Sequence, residues 1–363
     1  MQKIDLWHYP RKELAEQILG MFESGLSSAL VFFAPRRMGK TEFLCKDMAP
    51  LAEKKKWKVF YFSFLDVGKN ATIDFTKGIT DFATKQGTLK SGGILKKISK
   101  IGGGVGGITA DIELKGSINA QKTMKEIIDL LCKDDKLLLL LDEVQILSHD
   151  PANAKFIASL RTILDINKTE VKVIFTGSSQ EGLRKMFSQS NAPFFHFGQN
   201  LPFPEFEVGF TDHLAQNFEK VTKRKLNRNE LWKTFLEMQK VPHLARTLVE
   251  RMALNPSLSI GEAKTELMSQ IFSDRAFAEI WDQCSILERL LLLEISNNTG
   301  GLFSTEVREK FAKKMGLDEV AVSSLQSALR VLHRKNLIGR VPEKRGYIID
   351  DPNFKNWIKL FNA

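Results

Sequence analysis

The sequence predicts an α/β protein with a P-loop domain on a parallel sheet, then a helical lid and a C-terminal winged helix. Three observations predict it. Short apolar runs alternate with helical patterns through the first half of the chain, as in a mostly parallel sheet covered by helices. One run leads straight into a phosphate-loop motif that opens a helix. After Phe206 the strands stop, and two short ones return only behind three helices near the C-terminus.

The elements follow in order. A helical pattern spans Arg11–Glu23, and the first apolar run, Ala29–Phe33, reads as a strand. A helix over Lys40–Lys54 precedes a second strand, Val59–Phe64. Helical patterns over Thr123–Leu131 and Ala154–Leu164 flank the third strand, Leu137–Leu141; Val171–Thr176 and Phe194–Phe197 complete the set. These runs are apolar on consecutive residues rather than alternate ones, the pattern of strands buried on both faces. The glycine-rich stretch Lys90–Gly116 interrupts them, with an Ile108–Leu114 alternation suggesting a strand in a long loop or hairpin. No Lys-Ser/Thr pair follows those glycines, so they are not a phosphate loop.

Beyond Phe206 the clearest helices are Asp212–Val221, Arg228–Gln239 and His243–Met252. The last unit reads as helices over Ile286–Ser296, Thr305–Lys314 and Glu319–Lys335, then strands Ile338–Val341 and Gly346–Ile349. Three helices and a β-wing make a winged helix, a helix-turn-helix variant. The expected division is a P-loop core over 1–205, a helical lid over 206–275 and the winged helix over 276–363.

Composition narrows the class. The chain has 363 residues, 43% apolar and 26% charged, enough for buried cores in about two domains. Cys45, Cys132 and Cys284 share no close spacing and each lies in an apolar stretch, which predicts small buried hydrophobes in a reducing compartment. The six histidines show no metal-ligand spacing with them, so no structural zinc is expected. No apolar segment follows the early charge, and the runs Ala29–Pro35 and Leu137–Leu141 are far shorter than the roughly 20 residues of a membrane span. A cytoplasmic protein without membrane contact is expected. The excess of 53 basic over 43 acidic residues, a net +10, favours acidic partners such as nucleic acid. Lys54-Lys55-Lys56 and Lys223-Arg224-Lys225 read as solvated faces or helix ends.

Ala34-Pro35-Arg36-Arg37-Met38-Gly39-Lys40-Thr41 fits G-x-x-x-x-G-K-[ST] with alanine at the first position, where the strand ends and a small side chain suffices. In such a loop, backbone N–H groups at a helix N-terminus face the β- and γ-phosphates of ATP. Lys40 adds a charge to those phosphates, the Thr41 hydroxyl ligates Mg²⁺, and Gly39 lets the backbone approach. Glu42 begins the helix beside them. A hundred residues on, Leu137–Leu141 ends in Asp142-Glu143. Asp142 would hold the magnesium, and Glu143 would polarise the attacking water as general base. A core strand simply meeting solvent is the competing reading. From the neighbouring strand end, Thr176-Gly177-Ser178-Ser179, Ser178 is the first choice and Thr176 the second to read the γ-phosphate.

Pro-Arg-Arg-Met-Gly-Lys-Thr, the Asp-Glu strand and the Thr-Gly-Ser-Ser strand end together resemble the archaeal-type P-loop ATPases. These belong to the additional-strand class that includes AAA+ and STAND ATPases. The resemblance implies strand order 5-1-4-3-2, with a strand inserted between the P-loop strand and the Asp-Glu strand. Tyr9-Pro10-Arg11 is similar to that family's motif before the first helix, placing Arg11 near the adenine. The C-terminal unit is similar to the winged helix of origin-recognition ATPases.

Relatives of this type complete the site with an arginine from a neighbour, for which Arg161 and Arg184 are the candidates, each also readable as a surface arginine. Lys240-Val241-Pro242-His243-Leu244-Ala245-Arg246 resembles the lid turn with a sensor arginine, here Arg246, although the family's usual glycines are absent. Arg36 and Arg37 would contact phosphate or a partner subunit. On the third winged-helix helix, Val322, Leu325, Leu329 and Leu332 form the core stripe, while Ser323, Ser327, Arg330 and Arg334 line another face. With Arg340, Lys344 and Arg345 on the wing, that face suits the backbone of double-stranded DNA. The expected function is therefore an Mg-dependent ATP-hydrolysing switch that assembles on DNA. The alternative is a STAND-type signalling or defence switch that oligomerises on nucleotide exchange and docks protein partners.

Overall fold

The computed structural model describes residues 5–67, 70–88, 121–133, 135–188, 192–272, 275–297, 301–341 and 346–361. The glycine-rich Lys90–Gly116 segment and the candidate DNA contacts Lys344 and Arg345 lie outside the described residues.

The larger sheet has five strands: β1 Ala29–Phe33, β2 Lys58–Ser63, β3 Leu137–Asp142, β4 Val171–Gly177 and β5 Gln199–Pro202. All pair in parallel in the order β2-β3-β4-β1-β5, which is the expected 5-1-4-3-2 read from the other edge. Successive residues of each central strand enter different cores. Leu30, Phe32, Leu138 and Leu140 join one apolar cluster, and Ala29, Val31, Leu137, Leu139 and Leu141 the other. This two-sided burial is why the strands read as unbroken apolar runs.

The fifth strand is displaced from its predicted place. Phe194–Phe197 is a turn, closed by the N–H of Phe197 on the Phe194 carbonyl at 3.0 Å. The Phe194 ring packs on Phe175 and Phe187 instead of joining a pleat. The strand comes next, in the polar run Gln199–Pro202, and it pairs with β1 alone as an edge strand, where a proline is tolerated.

One sheet face carries α1 (Lys12–Glu23) and α2, which runs from Lys40–Glu42 through a π-helical segment, Phe43–Met48, into Ala49–Lys54. The opposite face carries α3 (Ala71–Lys85), α4 (residues 121–131), α5 (Ala154–Ile166) and α6 (Gln180–Phe187). Cys132 and Cys284 are buried as expected, but Cys45 lies exposed on α2. Its flanking apolar residues Phe43 and Leu44 turn inward, and the sequence window cannot show which helix face the thiol takes.

Four helices follow: α7 (Val208–Thr222), α8 (Arg228–Glu237), α9 (Pro242–Leu254) and α10 (Ile260–Phe272). Their apolar stripes join the same cluster as α1, α2 and one sheet face. A separate core gathers α11 (Arg275–Asp282), α12 (Ile286–Ser296), α13 (Thr305–Met315) and α14 (Val322–Arg334). It also holds the antiparallel pair β6 (Ile338–Val341) and β7 (Gly346–Ile349), and α15 (Pro352–Phe361). Helix α15 was not expected; it brings the fully buried Trp357. Helix α14 starts three residues later than predicted, at Val322, and Glu319 lies before it, paired with Arg308 at 2.9 Å. Val322 is then the first helical residue and is 37% exposed, so the core stripe is Leu325, Ala328, Leu329 and Leu332. Among the described residues no helix is long and apolar enough to cross a membrane.

Candidate active site

The carboxyl ends of β1, β3 and β4 lie level, with Phe33 opposite Gly177 and Leu141 opposite Phe175, so the groups that follow these strands meet at one sheet edge. After β1 the buried Ala34 continues the ladder, its N–H bonding the Gly177 carbonyl at 3.4 Å. Arg37 (φ 66°) and Gly39 (φ 86°) then adopt left-handed conformations. A loop that reverses hand this way gathers successive N–H groups into an anion-binding concavity. Glycine takes that conformation without penalty, whereas a side chain such as that of Arg37 makes it costly.

Lys40, the first residue of α2, is buried. Its Nζ donates to the Ala34 carbonyl at 2.7 Å and the Pro35 carbonyl at 3.0 Å, and stands 3.8 Å from Glu143 Oε1. Burial pulls its pKa below the ordinary lysine value, while the charges of Glu143 and Asp142 oppose that pull. A desolvated cation held by its own loop's carbonyls and one nearby carboxylate is a receptor for an anion.

Asp142 is the hub beneath it. Its Oδ2 accepts from the Thr41 hydroxyl at 2.5 Å and the Tyr61 hydroxyl at 3.2 Å. Its Oδ1 accepts from the Thr176 hydroxyl and from the Glu143 N–H at 3.1 Å. Thr176, the second candidate for reading phosphate, is thus turned to Asp142. The Thr41 hydroxyl and Asp142 carboxylate are hard oxygen donors in contact, a pair that fits Mg²⁺ with phosphate and water completing its shell.

Glu143 stands in the left-handed region at φ 53° and is 8% exposed. Its Oε2 accepts from the Ser178 hydroxyl at 2.6 Å and from Gln145 Nε2 at 2.5 Å, and Gln145 also reaches Ser178 Oγ at 3.3 Å. Sequence reasoning missed Gln145. It is 3% exposed and fits between two glycines: a Cβ on Gly177 would stand 2.5 Å from its Oε1, and one on Gly182 2.6 Å from its Cβ. The signal was there in Asp-Glu-Val-Gln, a second polar residue in an otherwise apolar turn. Tyr61 was also missed, since a tyrosine in a strand reads as packing.

A cavity of about 440 Å³ opens above these groups, lined among others by Arg36, Arg37, Thr41, Glu143 and Arg246. Arg246 reaches it from α9 and pairs with Glu42 at 2.9 Å, tying the helical segment to the start of α2. Met38 and Pro35 complete the loop beneath. Arg11 lies elsewhere, its guanidinium over the rings of Phe206 at 3.7 Å and Phe203 at 4.4 Å. Burial lowers its pKa to about 10. It lines a small side cavity with His8, Tyr9 and Asp47 that adjoins the main one at Gly39, Glu42 and Arg246. There His8 Nε2 bonds Asp47 Oδ1 at 2.8 Å.

Neither candidate neighbour arginine lines the P-loop cavity of its own chain. Arg161 bonds Asp165 at 2.6 Å and the Phe195 carbonyl at 3.2 Å. Arg184, on α6, faces α14 and β6 across a cleft of about 930 Å³ that Ser327, Arg330, Arg334 and Arg340 also line. The predicted nucleic-acid residues are thus brought together, apart from Lys344 and Arg345 outside the described residues.

No family model matches the chain, and no curated protein matches its sequence. Solved structures do. The Walker-type ATPase Paby2304 of Pyrococcus abyssi is similar at 16% identity over 98% of this chain and 99% of that one, with a TM-score of 0.64. The ORC2 protein of Aeropyrum pernix, determined as ADPNP and ADP complexes, is similar at 15% identity over 99% of this chain and 97% of that one, with a TM-score of 0.58. The fold is that of these P-loop ATPases from end to end.

Proposed function

We propose that the chain is an Mg-dependent ATPase that switches with its nucleotide state and assembles on DNA through its winged helix. The observation that carries the first half is the position of Glu143. Its carboxylate bridges Lys40 on one side and Ser178 on the other, the two groups a γ-phosphate would engage. An anion thus already occupies the anion receptor. ATP would take over Lys40 and Ser178 and leave Glu143 free to accept a proton from the attacking water. Asp142 and Thr41 would hold Mg²⁺, which supplies charge neutralisation at the phosphates. Arg246 and Glu42 would report occupancy to the helical segment, and Arg11 would close the base side. The capture of the Aeropyrum protein with ADPNP and ADP supports the nucleotide. Arg161 and Arg184 would act only on a neighbouring copy, because neither lines its own chain's cavity. The net charge of +10 and the exposed arginines of α14 support the DNA half.

The test uses two variants. Lys40→Ala is expected to abolish ATP binding by calorimetry, and unchanged affinity would remove the P-loop reading. Glu143→Gln is expected to bind ATP yet release no phosphate; normal turnover would take Glu143 out of the mechanism.

A further inference from the structure

We propose that the cleft between α6 and the winged helix is a binding site for single-stranded nucleic acid. This rests on the nucleic-acid half of the proposed function and specifies the form of the ligand. Two parts of the chain supply its walls. Arg184 and Lys185 come from α6 of the P-loop body; Arg330 and Arg334 come from α14, and Arg340 from β6. No carboxylate lines it among the described residues. Lys185, Arg330, Arg334 and Arg340 gather positive charge at one cleft, an arrangement that draws an anion. The α14 arginines sit four residues apart, a rise of about 6 Å along the helix axis. One backbone running along the helix would meet the two arginines in succession.

The apolar lining then selects the strand form. Helix α6 and β6 are packed against each other and close one side of the cleft. Phe303, 41% exposed, and Tyr347 line the same space. A duplex keeps its bases stacked inside and has no use for these rings. An unpaired strand does: its bases stack on aromatic faces while its phosphates follow the cations.

The experiment is fluorescence anisotropy of the full chain with a labelled oligothymidylate and with a blunt duplex of equal length, across a salt series. The single strand is expected to bind about tenfold tighter or more. Phe303→Ala is expected to weaken single-strand binding about tenfold, the loss of one stacked base. Lys185→Ala should lower the slope of log affinity against log salt by about 0.7, one phosphate contact on a single strand. Both residues are exposed, so folding is not at stake, and circular dichroism checks it. Duplex bound as tightly as single strand, with Phe303→Ala silent, overturns the inference but leaves the winged helix a DNA binder. Neither probe bound at low salt overturns both.

Discussion

Replacing Gln145 with leucine keeps the side-chain volume and removes one donor from Glu143. Glu143 Oε2 has two donors, Ser178 at 2.6 Å and Gln145 at 2.5 Å. When a γ-phosphate engages Ser178 and Lys40, Gln145 becomes the group that still orients the base. A hydrogen bond to a charged acceptor is worth about 1.5–3 kcal/mol, and this one is buried. If that orientation is needed only as water is deprotonated, its loss appears in kcat, as a fall of about tenfold to a hundredfold. KM should stay within about twofold, because Gln145 does not line the phosphate cavity. Stability should fall too, because the buried bond to Glu143 is present before nucleotide binds, with the loss partly offset by removing the unpartnered Oε1. The assay is steady-state phosphate release with ATP affinity measured separately. A kcat within twofold of the parent, or a loss confined to KM, would refute the assignment.

Gly182→Ala tests the same arrangement from behind: its Cβ would stand 2.6 Å from that of Gln145, so kcat should fall with little change in ATP affinity by calorimetry. His8 gives a pH signature. Burial lowers its pKa, but the Asp47 hydrogen bond and Glu42 outweigh this and raise it to about 9 from 6.5. Its contribution is therefore fully present below pH 6.5 and is lost as pH rises through about 9. Discounted for partial exposure, that is about 2 kcal/mol, and His8→Gln should flatten the fall in denaturant stability across that window. An unchanged slope would show that the ring does not gain its proton on folding. Trp357→Ala should cost about 3–5 kcal/mol in the C-terminal core, seen as a lowered transition in calorimetry, and a melting profile like the parent's would contradict its burial.

Much of the fold was legible because strands covered on both faces leave continuous apolar runs between turn signals. Leu137–Leu141 has no polar residue to set a face, and it needs none. The phosphate loop was legible because its glycine and lysine are required by backbone geometry and charge, not by packing. Phe194–Phe197 misled because aromatic clustering produces the same apolar run as a strand, while the true edge strand, Gln199–Pro202, is polar. Gln145 was hidden for a different reason. Its importance lies in two glycines more than thirty residues away that leave room for it, a relation visible only in space. The α6 side of the basic cleft was equally out of reach, since Arg184 and Lys185 meet α14 only through tertiary folding.

The shared core has a consequence for how the chain can be divided. The helices from Val208 to Phe272 have no apolar centre of their own: their stripes merge with α1, α2 and one sheet face. A fragment cut after residue 205 would bare that face, and its two halves would aggregate or reassociate instead of behaving as modules. The C-terminal core is a separate apolar cluster that Ile271 joins to the larger one, with α6 packed on β6 and α10 on α15.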